Sequence, residues 1–235
     1  MKKSLLLLTT LIAFTFILSF PSIAQNKAKK GASISEGTEW SNTWMVSTNK
    51  HDLPRVLIIG DSHVERYYQP VTNKLNKKAY CCKFTTSRSL GDPALIAQLK
   101  ALFFSYKFDV ITFNNGLHGV EYSDKRYSSY LPVVYKLLKK SNPGLKLIWV
   151  NTTPRRIGGK RPDFDQYNQG VINRNKAVRE FTSEKNIPLV DFYTPASTNL
   201  DFFDTDGIHF SKMGVEEQAK MLSSEILNAL NSIKQ

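Results

Sequence analysis

One short apolar run, ending in a glycine, constrains the fold of this chain most. Residues 56–59 are continuously aliphatic, and residues 60–62 read Gly-Asp-Ser. An unbroken run of this kind between turn residues is typical of a strand buried on both faces of a parallel sheet. Because ligands bind at the carboxyl ends of such strands, Ser62 is a candidate nucleophile at the start of a helix. An ordinary turn and helix N-cap is the alternative for the same three residues.

Apolar segments alternate with helical patterns along the rest of the chain. After the strand at 56–59, predicted strands cover residues 79–85, 109–113, 145–150 and 188–192. Predicted helices follow Ser62 as far as residue 77 and then cover residues 93–103, 127–140, 165–185 and 212–233. This alternation predicts one α/β domain: a three-layer α/β/α sandwich with a five-stranded parallel sheet and right-handed crossovers.

The first 24 residues have the pattern of a secretory signal peptide. Two lysines come first, an apolar run covers residues 5–20, and the small residues Ser22 and Ala24 suit a signal peptidase. We therefore expect cleavage after Ala24 and a secreted or periplasmic protein with no stable membrane insertion. A retained anchor is the alternative, since the run is close to the minimum length of a spanning helix. The end of the run has no cysteine nearby, so we do not expect a lipid anchor.

Residues 25–52 form a polar leader before the domain of residues 53–235. The leader carries Trp40 and Trp44, and we predict that it packs on the domain, because large aromatic side chains are mostly buried. Stacking of these rings on sugars is the alternative.

The charge balance bears on the partners of the chain. The formal net charge is +12, and removing residues 1–24 removes two lysines and no acidic residue, which lowers it to +10. A basic chain often binds nucleic acid, but an exported one meets acidic glycans and envelope surfaces instead. We expect no nucleic-acid partner, and solvated lysines at helix ends are the simpler explanation of the charge. The sequence makes no prediction of an oligomeric state.

The two cysteines, Cys81 and Cys82, are adjacent on a predicted strand. Successive strand side chains point to opposite faces, and a disulfide between neighbours would be strained. We therefore predict two buried thiols, with neither a disulfide nor a metal site.

The loops after the predicted strands bring several reactive groups to one edge of the sheet. Ser62 could attack a carbonyl, His209 could accept and return its proton, and Asp206 could orient the imidazole. Backbone amides of Ser62 and Gly91, with an amide side chain after the third strand, could stabilise the oxyanion.

These residues resemble the sequence blocks of the SGNH/GDSL hydrolase superfamily of esterases and lipases, over about residue 53 to the end. Residues 60–62 match the first block, Gly91 the second, and Asp206 with His209 the final Asp-x-x-His. The resemblance implies a flavodoxin-like SGNH hydrolase fold and an exported serine esterase with catalytic Ser62, Asp206 and His209. The implied substrate is an O-acyl ester. The predicted export, the tryptophan-bearing leader and a departure in the third sequence block favour an O-acetyl ester of a carbohydrate, or else of a small molecule. No metal or organic cofactor is implied.

The third block departs from the usual Gly-x-Asn-Asp of the superfamily. Gly116 keeps the glycine, but His118 stands where the asparagine is usual, so Asn114 could supply the amide instead. We favour Asn114 as the oxyanion donor, with His118 as a second donor or a substrate contact. His63 follows the serine where the superfamily usually has an aliphatic residue, and we expect it to point away along the helix.

Two other functions fit the same pattern: an O-acyltransferase acting on glycans, and a non-catalytic glycan-binding module of the same fold. The aspartates Asp201, Asp204 and Asp206 resemble part of a calcium loop. They lack the bidentate glutamate of such loops, and we expect no calcium there.

Overall fold

A computed structural model of the chain describes residues 32–233. The predicted signal peptide, residues 1–24, lies outside the described residues. The strands are β1 (Ser41–Trp44), β2 (Arg55–Gly60), β3 (Tyr80–Thr86), β4 (Val110–Asn114), β5 (Lys146–Val150) and β6 (Leu189–Val190). The helices are α1 (Ser62–Lys74), α2 (Pro93–Ser105), α3 (Asp124–Ser141), α4 (Asn168–Glu184), α5 (Tyr193–Thr198) and α6 (Lys212–Asn231). A short 3₁₀ helix covers Leu200–Phe202.

The strands form one sheet in the order β1-β3-β2-β4-β5-β6. Strands β2 to β6 are parallel, and their order is that of a doubly wound flavodoxin-like sheet. The predicted five parallel strands are therefore present, but the described sheet has six strands because β1 adds an antiparallel edge to β3. All four β1 residues are exposed, so no buried periodicity marked this segment as a strand.

Two apolar clusters cover the two faces of the sheet and confirm the three-layer arrangement. In β2, Leu57 and Ile59 pack with apolar residues of α2, α3 and α4. Val56 and Ile58 pack with residues of α1 and α6 on the opposite face. All four β2 side chains are essentially inaccessible to solvent. This double burial explains the unbroken aliphatic run of the sequence.

The two cysteines of β3 also divide between the faces. Cys81 packs in the layer of α1 and α6, and Cys82 in the layer of α2, α3 and α4. Both thiols are free and buried, and burial raises the pKa of Cys81 to about 12.

The turn between β2 and α1 is tight because Gly60 has no side chain. A Cβ at residue 60 would lie 2.4 Å from Val64 Cγ2, so α1 can begin directly after the strand only with glycine there. Asp61 caps the helix by accepting a hydrogen bond from the His63 N–H at 3.0 Å. Since α1 and α3 leave the adjacent strands β2 and β4 towards opposite faces, Ser62 lies at the switch point of the sheet.

Candidate active site

Ser62, His209 and Asp206 form a continuous hydrogen-bonded chain. Ser62 Oγ lies 2.8 Å from His209 Nε2, and His209 Nδ1 lies 2.6 Å from Asp206 Oδ2. Ser62 is the first residue of α1, whereas the other two come from the loop before α6, so the fold joins residues 147 positions apart.

The Asp206 carboxylate is fixed by its own loop. Its Oδ1 accepts hydrogen bonds from the backbone N–H groups of Ile208 at 2.9 Å and His209 at 2.8 Å. Partial burial acts to raise the pKa of Asp206, but the His209 ring and the two backbone bonds outweigh it and lower the pKa to about 2. Because an ionised carboxylate only accepts, the neutral imidazole carries its proton on Nδ1. The His209 Nε2 lone pair is then directed towards the Ser62 hydroxyl.

A neighbouring segment holds the Asp206–His209 loop in place. Gly207 has a φ of +75°, and a Cβ there would lie 2.5 Å from the Arg156 carbonyl oxygen. The Arg156 N–H donates to the Gly207 carbonyl at 2.8 Å, and its guanidinium lies 5.0 Å from the Phe203 ring centroid. The short loop therefore depends on glycine at residue 207 for both its conformation and its close approach.

His63 packs behind the His209 imidazole, contrary to the expectation that it points away along α1. Its ring centroid lies 5.6 Å from that of His209 and 5.3 Å from that of Phe210. Its Nε2 lies 3.2 Å from Thr153 Oγ1. Complete burial lowers the pKa of His63 to about 4, although the nearby Asp61 opposes the shift. At neutral pH the His63 ring is therefore uncharged.

The predicted oxyanion donors on the backbone occupy two loop ends. The Ser62 N–H is the first of α1 and has no acceptor within the helix. Gly91 has a φ of +106°, in the left-handed region that favours glycine. The side chain of Asn115 fixes the loop before Gly91, since its Oδ1 accepts from the Leu90 N–H at 2.6 Å and its Nδ2 donates to the Arg88 carbonyl at 3.0 Å. Sequence reasoning did not assign a role to Asn115, and only its place directly after β4 hinted at one.

The two side chains proposed for the third block lie in different surroundings. Asn114 is buried, and its Nδ2 donates to the backbone carbonyls of Val150 at 3.1 Å and Asn151 at 2.9 Å. Donation to an oxyanion would replace one of these bonds. His118 instead lines the cleft that contains Ser62 and His209.

This cleft has a volume of about 390 Å³ and opens onto Ser62 and His209. The other lining residues are Glu36, Gly37, Leu117, His118, Val120, Glu121, Arg155, Tyr167 and Ile208. A smaller cavity of about 150 Å³ adjoins it and shares Leu117, Val120, Arg155 and Tyr167.

The acidic residues near the cleft do not converge as calcium ligands do. Asp204 pairs with Arg66 at 3.0 Å, and Asp206 pairs with His209. Between residues 32 and 233, no three acidic, histidine or cysteine side chains are placed to hold a metal ion. Nor is any helix there long and apolar enough to cross a membrane.

Comparison with known proteins gives matches among solved structures. No protein-family model matches the sequence, and no curated protein does. A GDSL-like lipase from Bacteroides thetaiotaomicron matches with a TM-score of 0.60 at 14% identity, over 77% of this chain and 89% of its own. An acetyl xylan esterase matches with a TM-score of 0.59 at 14% identity, over 73% and 99%. A family 3 carbohydrate esterase from Talaromyces cellulolyticus matches with a TM-score of 0.59 at 13% identity, over 77% and 99%. The chain has the SGNH/GDSL hydrolase fold.

Within the SGNH/GDSL fold, the predicted site residues divide into two groups. Ser62, Asp206 and His209 lie in hydrogen-bond contact, and His118 lines the same cleft. Gly91 and Asn114 are buried and are not among the residues that line it. The roles of all six remain predictions.

Proposed function

We propose that this protein is an exported serine esterase that hydrolyses O-acetyl esters on carbohydrate. One observation carries the proposal: the chain from Asp206 through His209 to Ser62, with separations of 2.6 and 2.8 Å, ends at an open cleft. A serine hydroxyl in contact with an imidazole that is itself oriented by a carboxylate is the arrangement needed for acyl transfer.

In the proposed mechanism Ser62 Oγ attacks the ester carbonyl carbon while His209 Nε2 takes the hydroxyl proton. The negative charge on the carbonyl oxygen is held by the N–H groups of Ser62 and Gly91, with Asn114 as the proposed third donor. The bond to the alcohol then breaks, and His209 gives its proton to the leaving oxygen. A water molecule repeats the sequence on the acyl-enzyme, which releases the carboxylic acid and restores Ser62. Asp206 stabilises the imidazolium in both halves and stays ionised.

Two observations support a carbohydrate alcohol. Two of the similar structures are an acetyl xylan esterase and a family 3 carbohydrate esterase. In the cleft itself, the Tyr167 side chain is 43% exposed, and Glu36, Glu121 and Arg155 offer polar groups around it. An exposed aromatic ring among hydrogen-bonding groups suits a hydroxylated ring better than a long acyl chain.

The first test is hydrolysis of p-nitrophenyl acetate and of a longer-chain ester, followed by release of acetate from acetylated xylan. We expect activity that favours the acetyl ester and is lost in Ser62→Ala. Ser129→Ala is the matched control, because Ser129 is exposed on α3 and bonds only within that helix.

Three outcomes would contradict the proposal. A folded, inactive protein whose Ser62 is not labelled by a fluorophosphonate would be a binding module. Acetyl transfer to a sugar acceptor in excess of hydrolysis would make it an O-acyltransferase. Full activity in Ser62→Ala would refute the mechanism.

A further inference from the structure

Residues 32–40, here called the N-terminal arm, lie against the edge of the sheet that carries the candidate site. The Ile34 N–H donates to the Tyr122 hydroxyl at 2.6 Å, and Arg126 donates to the Ala32 carbonyl at 2.6 Å. Nearer β1, Glu39 accepts hydrogen bonds from Ser87 at 2.6 Å and Arg88 at 3.1 Å. The arm is thus anchored on both sides of residue 36.

Between these anchors, Glu36 turns its carboxylate into the cleft wall. Its Oε2 lies 2.9 Å from His118 Nδ1, and its Oε1 accepts a hydrogen bond from the Gly119 N–H at 2.7 Å. Both Glu36 and His118 line the cleft beside Ser62, and their side chains are about one-quarter exposed. A residue that precedes the predicted domain by 17 positions therefore forms part of the site.

The contact with Glu36 selects one tautomer of the neutral His118 ring. A carboxylate only accepts hydrogen bonds, so Nδ1 carries the proton, and the neutral ring is left with an acceptor at Nε2. That nitrogen makes no hydrogen bond to any residue that the structure describes. The backbone beneath the ring is rigid, because buried Arg174 donates to the carbonyls of His118 at 2.7 Å and Gly119 at 2.6 Å. The ring is therefore held in one place with one free polar atom.

Anchoring of the arm alone does not account for this geometry. A single partly exposed hydrogen bond contributes modestly to stability, and the arm already has other contacts at Tyr122, Arg126 and Ser87. A histidine held through one nitrogen, in a ring that lines a cleft beside the proposed nucleophile, has the form of a preorganised substrate contact.

We propose that Glu36 is a positioning residue that holds His118 so that its Nε2 accepts a hydrogen bond from a hydroxyl of the substrate's alcohol portion. The inference rests on the proposed esterase function and deepens it, because it assigns recognition of the sugar to a residue outside the motif-bearing domain.

The test compares two esters in Glu36→Gln, using protein expressed from the full chain. Glutamine has one acceptor for the two donors that Glu36 serves, so the His118 ring loses its fixed tautomer. KM for an acetylated xylo-oligosaccharide should rise about tenfold, as expected for the loss of one hydrogen bond, with little change in kcat. KM for p-nitrophenyl acetate should rise several-fold less than KM for the oligosaccharide, because the leaving group of this ester has no hydroxyl that His118 could bind.

Glu39→Gln is the matched control, since Glu39 also anchors the arm but does not line the cleft. An equal rise of KM in Glu39→Gln would assign the effect to a loosened arm and overturn the proposal. An equal rise of KM for both esters in Glu36→Gln, or no rise for either, would also overturn the proposal.

A double-mutant cycle tests whether Glu36 acts through His118. His118→Asn keeps a nitrogen near the position of Nδ1 and removes Nε2, so it should raise KM for the oligosaccharide at least as much as Glu36→Gln. Adding Glu36→Gln should then change nothing further. Additive effects of the two substitutions would overturn the proposal.

Binding separates this inference from the esterase proposal. In the Ser62→Ala background, calorimetry with the acetylated oligosaccharide should show about tenfold weaker binding when Glu36→Gln is added. If the unmodified protein is inactive and unlabelled by a fluorophosphonate but this difference persists, the esterase proposal fails while the Glu36–His118 contact stands. Equal binding in the two variants overturns the contact, whatever the activity.

Discussion

Replacing His63 with leucine should remove a loss of stability that this buried ring causes on acidification. The ring is 4% exposed, and burial lowers its pKa from 6.5 to about 4. In the unfolded chain the ring binds a proton near its ordinary pKa, so between pH 6.5 and 4 the unfolded state holds more protons than the folded state. Stability therefore falls as the pH drops through this window, and the contribution is absent at pH 7 and above.

The size of the effect follows from the difference between the two pKa values. A difference of about 2.5 units corresponds to a limit of about 3.4 kcal/mol, of which about 2 kcal/mol has developed at pH 5 and about 3 kcal/mol at pH 4. That is a large share of the roughly 5–15 kcal/mol that stabilises an ordinary domain. Leucine is a suitable replacement because SGNH/GDSL sequences usually have an aliphatic residue after the serine.

Urea unfolding of the protein and of His63→Leu at several pH values between 7 and 4 measures this contribution directly. The stability difference between the two should move by about 2 kcal/mol in favour of the variant between pH 7 and pH 5. His51→Leu is the control for replacing an exposed histidine with leucine. If the free energy of unfolding of His63→Leu varied with pH in parallel with that of the unmodified protein, the reasoning would be refuted, because the buried ring would not be neutral.

The remaining predictions test the site and its surroundings. Asp206→Asn should lower kcat by about 10³- to 10⁴-fold with little change in melting temperature, because the imidazole loses its orienting carboxylate. The acid limb of the pH–rate profile should not report Asp206, whose pKa of about 2 keeps it ionised. Asn114→Ala should lower kcat by about 10²-fold and the free energy of unfolding by about 1–3 kcal/mol, and an unchanged kcat would leave it a structural residue alone. Gly60→Ala should cost about 1–3 kcal/mol in urea unfolding, because its Cβ would meet Val64. Mass spectrometry of the exported protein should give an N-terminus at Gln25, and retention of residues 1–24 would contradict the predicted cleavage.

The parallel core of the fold could be predicted because its signals are local. Residues 56–59 and 147–150 are unbroken apolar runs, and double burial in a parallel sheet leaves that pattern in the sequence. Strand β1 carries no such pattern, since its four exposed residues form a strand only through backbone pairing with β3. Helix α5 has six residues and one buried side chain, Ala196, too few for a periodicity.

The same distinction applies to the site. Ser62, Asp206 and His209 stand in short motifs at predicted strand ends, so their convergence followed from the order of the strands. Glu36 gave no signal, because a single glutamate in a polar leader looks like any solvated charge. Its contact with His118 joins residues 82 positions apart and exists only after the arm has docked. His63 was misjudged for a similar reason, since the loop that encloses it lies far along the chain.

The two adjacent cysteines of β3 give the protein a built-in reporter of how it unfolds. Cys81 is covered by α1 and α6, and Cys82 by α2, α3 and α4, so each thiol reacts with an alkylating reagent only when its own helical layer lifts from the sheet. Peptide mapping after timed alkylation would therefore distinguish unfolding that begins with one helical layer from unfolding in which both helical layers detach together. Because the two cysteines are adjacent on one strand, they do not form a disulfide, and each thiol probes one face of the sheet.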